Sequence, residues 1–210
     1  LQKRPTVTRP AMLVKRARRA GMLPRMARVY RDPVDLIWLG AAGRLGWRVV
    51  RSHECYAAWD GRDTLTLSDA ADFDPDDCLA QLILHEICHA LVEGPDRLSA
   101  VDWGLDNTSD ADVVREHACH RVQAALCDPH GLRHLLAPTT EHRPYFEALG
   151  ADPLAGDDAA VGPARAGYRR AVEGPWADVI ADALRATAAV ARAVAPYASP
   201  HSLWSRWEPR

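Results

Sequence analysis

The stretch DPDDCLAQLILHEICHALVEGP, residues 74–95, constrains this chain more than any other. Leu79, Leu82, Ile83, Ile87, Ala90 and Leu91 recur at helical spacing and form a wide apolar stripe, the pattern of a buried helix. Its expected start is Asp74 as N-cap, Pro75 in the first helical position and Asp77 at the third, with Phe73 stapled onto Cys78. Gly94-Pro95 stops it. Into this apolar helix the sequence sets His85, Glu86 and His89, which are costly to bury without a partner. His85 and His89 are four residues apart, so both rings leave one face about one turn apart and can reach a single zinc ion at roughly 2.0–2.1 Å. Glu86 flanks that face. It is placed to act as general base on a metal-activated water and then to pass a proton to a leaving amine.

A catalytic zinc usually takes three protein ligands and keeps one open position. The spacing HExxHxxGxxH is absent, because Val92 and Pro95 stand where its glycine and last histidine belong. A second helix supplies the alternatives. It is expected to start near Ser109, with Asp112 in a capping-box position, and to end at Asp128-Pro129. Its segment EHACH carries Glu116, His117 and His120. Glu116 and His120 share a face, with His117 about 100° round the helix from Glu116. Glu116 is the favoured third ligand. His120 is the next choice, either as a ligand or as a residue touching ligand or substrate, and His117 the last. Tyr56, His117, His120 and His130 are candidates for stabilising an oxyanion. Cys88 and Cys119 each follow a proposed ligand by three residues. They read as buried thiols packing the helix seam, with thiol oxidation as the sharper alternative.

Elsewhere the chain is punctuated more weakly. Asp32 and Pro33 open a helix over PVDLIWLGAAGRLG. Val49-Val50, the turn Asp60-Gly61 and the alternating TLTLS predict a β-hairpin or meander. Residues 150–164 read as a linker, and PWADVIADALRATAAVARAVAPY as a long helix. The organisation expected is a basic arm over 1–31, a core over 32–130 and a helical extension over 131–210. Residues 1–31 hold ten Lys/Arg and no Asp/Glu, so 16 basic and 28 acidic residues remain, a balance of −12. Such an arm suits nucleic acid, an anionic surface or the acidic body itself, and its acid-free composition also has the look of a transit peptide. Tyr30 is its only aromatic residue, so base stacking is not indicated. Five cysteines without a CxxC pair, no secretory pattern and no long apolar run predict a cytoplasmic protein with no transmembrane segment. The Ala- and Arg-rich composition fits a bacterial source.

The order of these motifs resembles the ImmA/IrrE-type zinc metallopeptidases over about residues 33–130. The resemblance rests on a helix, then strands ending in DTLTLSD, then LAQLILHEICHALVEG, then VVREHACHRVQAAL. It implies an α+β fold with a zincin-like core, in which a small twisted sheet packs on the HExxH helix and its edge strand holds a peptide extended. It also implies Zn2+ on His85, His89 and Glu116, with Glu86 as general base. Cys88 stands where that family often has Gly, Ala118 where it has Asn, and His120-Arg121 where it has Phe-Ala. The function expected is a narrow zinc-dependent endopeptidase, a hydrolase acting on a peptide or protein and coupled to a regulatory partner protein. Two other classes compete. One is a non-proteolytic regulator or binding module that keeps the fold; the other is an iron(II) enzyme using the same two-histidine, one-carboxylate set.

Overall fold

A computed structural model describes residues 28–106 and 110–208. Ser109 and residues 1–27, which carry most of the basic arm, lie outside the described residues. From Arg31 onward the chain forms one compact unit. It is an α+β protein, with six α-helices and a three-stranded mixed sheet among the described residues.

Helix α1 (Pro33–Arg44) begins as its sequence predicts, Asp32 Oδ1 accepting from Val34 N at 2.8 Å. Strand β1 (Arg48–Ser52) follows. Strands β2 (Ala57–Trp59) and β3 (Thr64–Ser68) form the expected hairpin about Asp60-Gly61. There Asp60 Oδ1 accepts from the main-chain N–H groups of Arg62, Asp63 and Thr64. A meander does not form. The order is β1-β3-β2, with β1 parallel and β2 antiparallel to the central β3. Burial explains the choice: Leu65 and Leu67 of β3 are fully enclosed, whereas Val49 and Val50 of β1 are only half-buried.

Helix α2 (Leu79–Glu93) carries the HEICH segment but starts later than its acidic entry suggests. Asp74 closes a turn, accepting from Asp77 N at 3.0 Å. Cys78 is the true N-cap. Its Sγ accepts from Gln81 N at 3.4 Å, while Gln81 Oε1 accepts from Cys78 N at 3.1 Å, a reciprocal box with sulfur in place of oxygen. At the other end Gly94 adopts φ 82°, and Arg170 Nη1 donates to Leu91 O at 2.6 Å.

Helix α3 (Val113–Cys127) is entered through a short 3-10 turn at Asp110–Asp112. The Asp112 side chain makes no cap and instead accepts from Asp106 N at 2.7 Å. Asp128-Pro129 ends the helix as expected. Arg115, on the first turn of α3, donates through Nε to Glu93 Oε1 at 2.6 Å and so fastens α3 to the end of α2.

Within the expected helical extension, α4 (Arg143–Glu147) lies where no helix is marked by the sequence, and α5 (Val161–Glu173) begins inside the expected linker 150–164. The expected linker therefore ends at residue 160. Pro163 falls in the first turn of α5, where a missing N–H costs nothing. Gly167 weakens the helical signal but is there for packing: a Cβ would lie 3.0 Å from Val92 Cγ2 and 3.1 Å from Val122 Cγ2. Helix α6 (Ala177–Val194) matches its sequence pattern.

Helices α3, α5 and α1 lie closest to α2, and Leu65 and Leu67 of the sheet join Leu82, Ile83 and Ile87 of α2 in one buried cluster. One buried cluster runs from Val34 in α1 to Ala191 in α6. Trp38 Nε1 ties α1 to α6 through Thr187 Oγ1 at 3.0 Å. The tryptophan-containing tail folds back, Trp207 Nε1 donating to His130 O at 3.1 Å. No helix among the described residues is long and apolar enough to cross a membrane.

Gly167→Val forces side-chain atoms into the contact between α5, α2 and α3. Overpacking of this kind costs about 1–3 kcal/mol. The expected result is a lower urea midpoint with an unchanged slope; an unaltered midpoint contradicts the close approach.

Candidate metal centre

Helices α2 and α3 lie side by side and bring their polar residues to one seam. His85 Nε2 and His89 Nε2 are 2.9 Å apart. His85 Nε2 is 3.1 Å from Glu116 Oε1, and His89 Nε2 is 3.1 Å from Glu116 Oε2. Lone pairs aimed at one another at this range repel unless a proton or a cation sits between them. The ligand atoms fall into two overlapping groups, His85-Glu116-His120 and His85-Glu86-His89, each with all atoms within 4.8 Å of one another. Nitrogen and oxygen donors in this number suit zinc.

The far side of each ring is held. Gln123 Nε2 donates to Leu136 O at 2.7 Å, which turns Gln123 Oε1 toward His85 Nδ1 at 3.1 Å. With Nδ1 turned to that acceptor, an ion on Nε2 would displace only the Nε2 proton of His85. His89 Nδ1 lies 3.2 Å from Cys119 Sγ. Cys88 and Cys119 are both fully buried, and burial pushes their thiols up.

Electrostatics tighten the cluster. Burial works to lower His85, but the charge and hydrogen bond of Glu116 outweigh it and raise the ring to about 9. Burial likewise works to raise Glu116, yet His85, His120 and His89 hold it far below the usual carboxylate range. His120 goes the other way, lowered by burial to about 4.

Glu86 is buried, at 5% exposure, and its Oε2 accepts from Trp103 Nε1 at 3.1 Å. Trp103 stacks on Trp59 with centroids 4.6 Å apart, and both pack against Trp47. Asp102 and Trp103 adopt φ 47° and 59°, the only non-glycine residues in the left-handed region among those described. Asp102 Oδ1 accepts from Trp59 N at 2.9 Å. This turn thus ties β2 to the carboxylate of Glu86.

The cluster opens into a cavity of about 440 Å³ lined also by Tyr56, Ala57, Leu105 and His142. Tyr56 reaches the rim, but its hydroxyl donates to Asp77 Oδ2, and burial together with that bond raises it. His117 turns away and stacks on Tyr145 with centroids 3.6 Å apart, and burial lowers it. His130 lies elsewhere, lining a separate cavity with Tyr168 and Leu184. Four contributors were not singled out by sequence reasoning: Gln123, His142, and Asp102 and Trp103 in their supporting roles. Gln123 had a signal, since 116, 119, 120 and 123 share one helical face. His142 had none. Comparison with protein-family models, with curated proteins and with solved structures gives no match.

Gln123→Met leaves His85 Nδ1 without its acceptor while keeping the helix. Loss of such an orienting bond is expected to weaken zinc binding about 10–100-fold, measured by competition with a chromophoric chelator. Equal affinity in the variant contradicts the orienting role.

Proposed function

We propose that this chain is a zinc-dependent endopeptidase with a zincin-like core, of the ImmA/IrrE type that its motif order resembles. The observation carrying this reading is the convergence of His85, His89 and Glu116 beside a buried carboxylate, Glu86, that is held in place by Trp103. His85, His89 and Glu116 would hold the ion. Zinc supplies Lewis acidity to a carbonyl and to a water when bound.

The chain's own groups supply the rest. Trp103 fixes Glu86 Oε2, which leaves Oε1 to take a proton from the attacking water and deliver it to the departing nitrogen. Leu82, Leu105 and Trp103 give the cavity an apolar wall that limits competing water. Strand β2 offers the grip on substrate. Tyr56 O and Asp60 N bond toward β3, so the alternate residues Ala57 and Trp59 turn their main-chain groups outward. Ala57 lines the cavity and is placed to pair with an extended peptide. Asp102 already occupies Trp59 N, so the pairing is short, consistent with a narrow substrate range. The presence of Glu86 favours hydrolysis over iron(II) oxygen chemistry, which needs no base there.

Glu86→Gln is expected to retain zinc and lose cleavage of a proteome-derived peptide library by about 10²–10⁴-fold. Glu116→Ala should lower zinc content measured by elemental analysis. A zinc-loaded wild type that cleaves nothing, or a Glu86→Gln variant that cleaves equally well, sinks the reading.

A further inference from the structure

Three ligands account for one ion but leave two histidines of the same cluster unexplained. His120 is wholly enclosed, at 0% exposure, and neither of its ring nitrogens makes a hydrogen bond. Its Nε2 makes only an ion-pair contact, 3.0 Å from Glu116 Oε1, and its Nδ1 has no polar partner at all. Buried polar groups are almost always satisfied, so an orphaned imidazole beside a carboxylate points to something it binds. His142 approaches the same oxygen, its Nε2 3.9 Å from Glu116 Oε1, and its ring centroid lies 5.0 Å from that of His120. His142 is half-buried and lines the cavity, giving an ion a route in.

The two oxygens of Glu116 thus face different partners. Oε2 is turned to His89, whereas Oε1 meets His120 and His142 as well as His85. We propose that His120, His142 and Glu116 Oε1 form a second divalent-cation position, adjoining the first and sharing Glu116 as a bridge. The inference rests on the reading that His85, His89 and Glu116 hold the first ion. Two imidazoles and a carboxylate oxygen are a donor set for zinc or a neighbouring first-row ion. Ions sharing one carboxylate commonly sit roughly 3.5–4 Å apart, a spacing at which both can act on one substrate carbonyl or water. His142 comes from the connection before α4, so residues beyond 131 contribute directly to the site.

The test is zinc stoichiometry of the full chain. Protein stripped with a chelator is titrated with zinc and the bound ion counted after equilibrium dialysis. The wild type is expected to bind two ions per chain. His142→Ala, at a half-buried position outside the core, is expected to bind one. His120→Phe, which keeps an aromatic ring in the enclosed site, should also bind one. Cobalt(II) adds a positional readout: two bridged ions couple magnetically and attenuate the paramagnetic resonance signal in the wild type, and the full single-ion signal returns in His142→Ala. A wild type that saturates at one ion overturns the proposal. So does a wild type that binds two while both variants also bind two, since the second ion then lies elsewhere. Variants that bind none place His120 and His142 on the first ion and overturn it as well. Ion counting needs no peptide cleavage. Failure to find a substrate therefore bears on the peptidase reading alone, and single-ion stoichiometry with Glu86-dependent cleavage defeats this inference alone.

Discussion

A carboxylate placed among imidazoles at the seam of two apolar helices governs this structure. Glu116 is tolerable inside the protein only because His85, His89 and His120 surround it. That arrangement demands a fixed register between α2 and α3. Arg115 and Glu93 set it at one end, immediately beside Glu116. Arg170 of α5 caps the last carbonyls of α2, and Gly167 lets α5 lie close to both helices. A slide of one residue along α3 turns Glu116 about 100° away from its partners. Much of the fold can be understood as preventing that slide.

What could be read in the sequence follows from how local the responsible physics is. The HEICH helix and its stop at Gly94 depend on periodicity and a left-handed glycine, both visible in a short window. So do the Asp60-Gly61 turn and the end of α3 at Asp128-Pro129. The helix start departs from the one Asp74-Pro75 predicts, because the cap uses a sulfur, Cys78, and a reciprocal Gln81. The sheet order was not legible, since placing β3 between β1 and β2 depends on which strand is most deeply covered. Helix α5 is hidden by Gly162, Pro163 and Gly167, residues that argue against a helix in isolation; Pro163 is tolerated in the first turn, and Gly167 serves packing against Val92 and Val122. In the candidate cluster, His85, Glu86 and His89 are legible from spacing, and Glu116 only as one of three candidates on the second helix. His142 was not, because it reaches Glu116 from 26 residues away in a stretch with no periodic pattern.

The support behind Glu86 has the same non-local character. Trp47 precedes β1, Trp59 ends β2, Trp103 sits in a strained turn and Trp176 precedes α6, yet Trp47 touches all three of the others. Aromatic rings give such a wall rigidity at little rotameric cost. Trp103 adds the polar handle that reaches the carboxylate. The left-handed backbone at Asp102 and Trp103 is the strain accepted to deliver two side chains at once, one to the strand edge and one to Glu86.

Asp102 also bears on the open edge of the sheet. A three-stranded sheet has two raw edges, and an exposed edge is a template on which another chain can grow. Strand β2 is only three residues long, and one of its two outward-facing positions is already satisfied by an internal carboxylate. The remaining length of β2 is too small to seed continuous pairing along that edge. A single side chain in a strained turn therefore also blunts the β2 edge of the sheet.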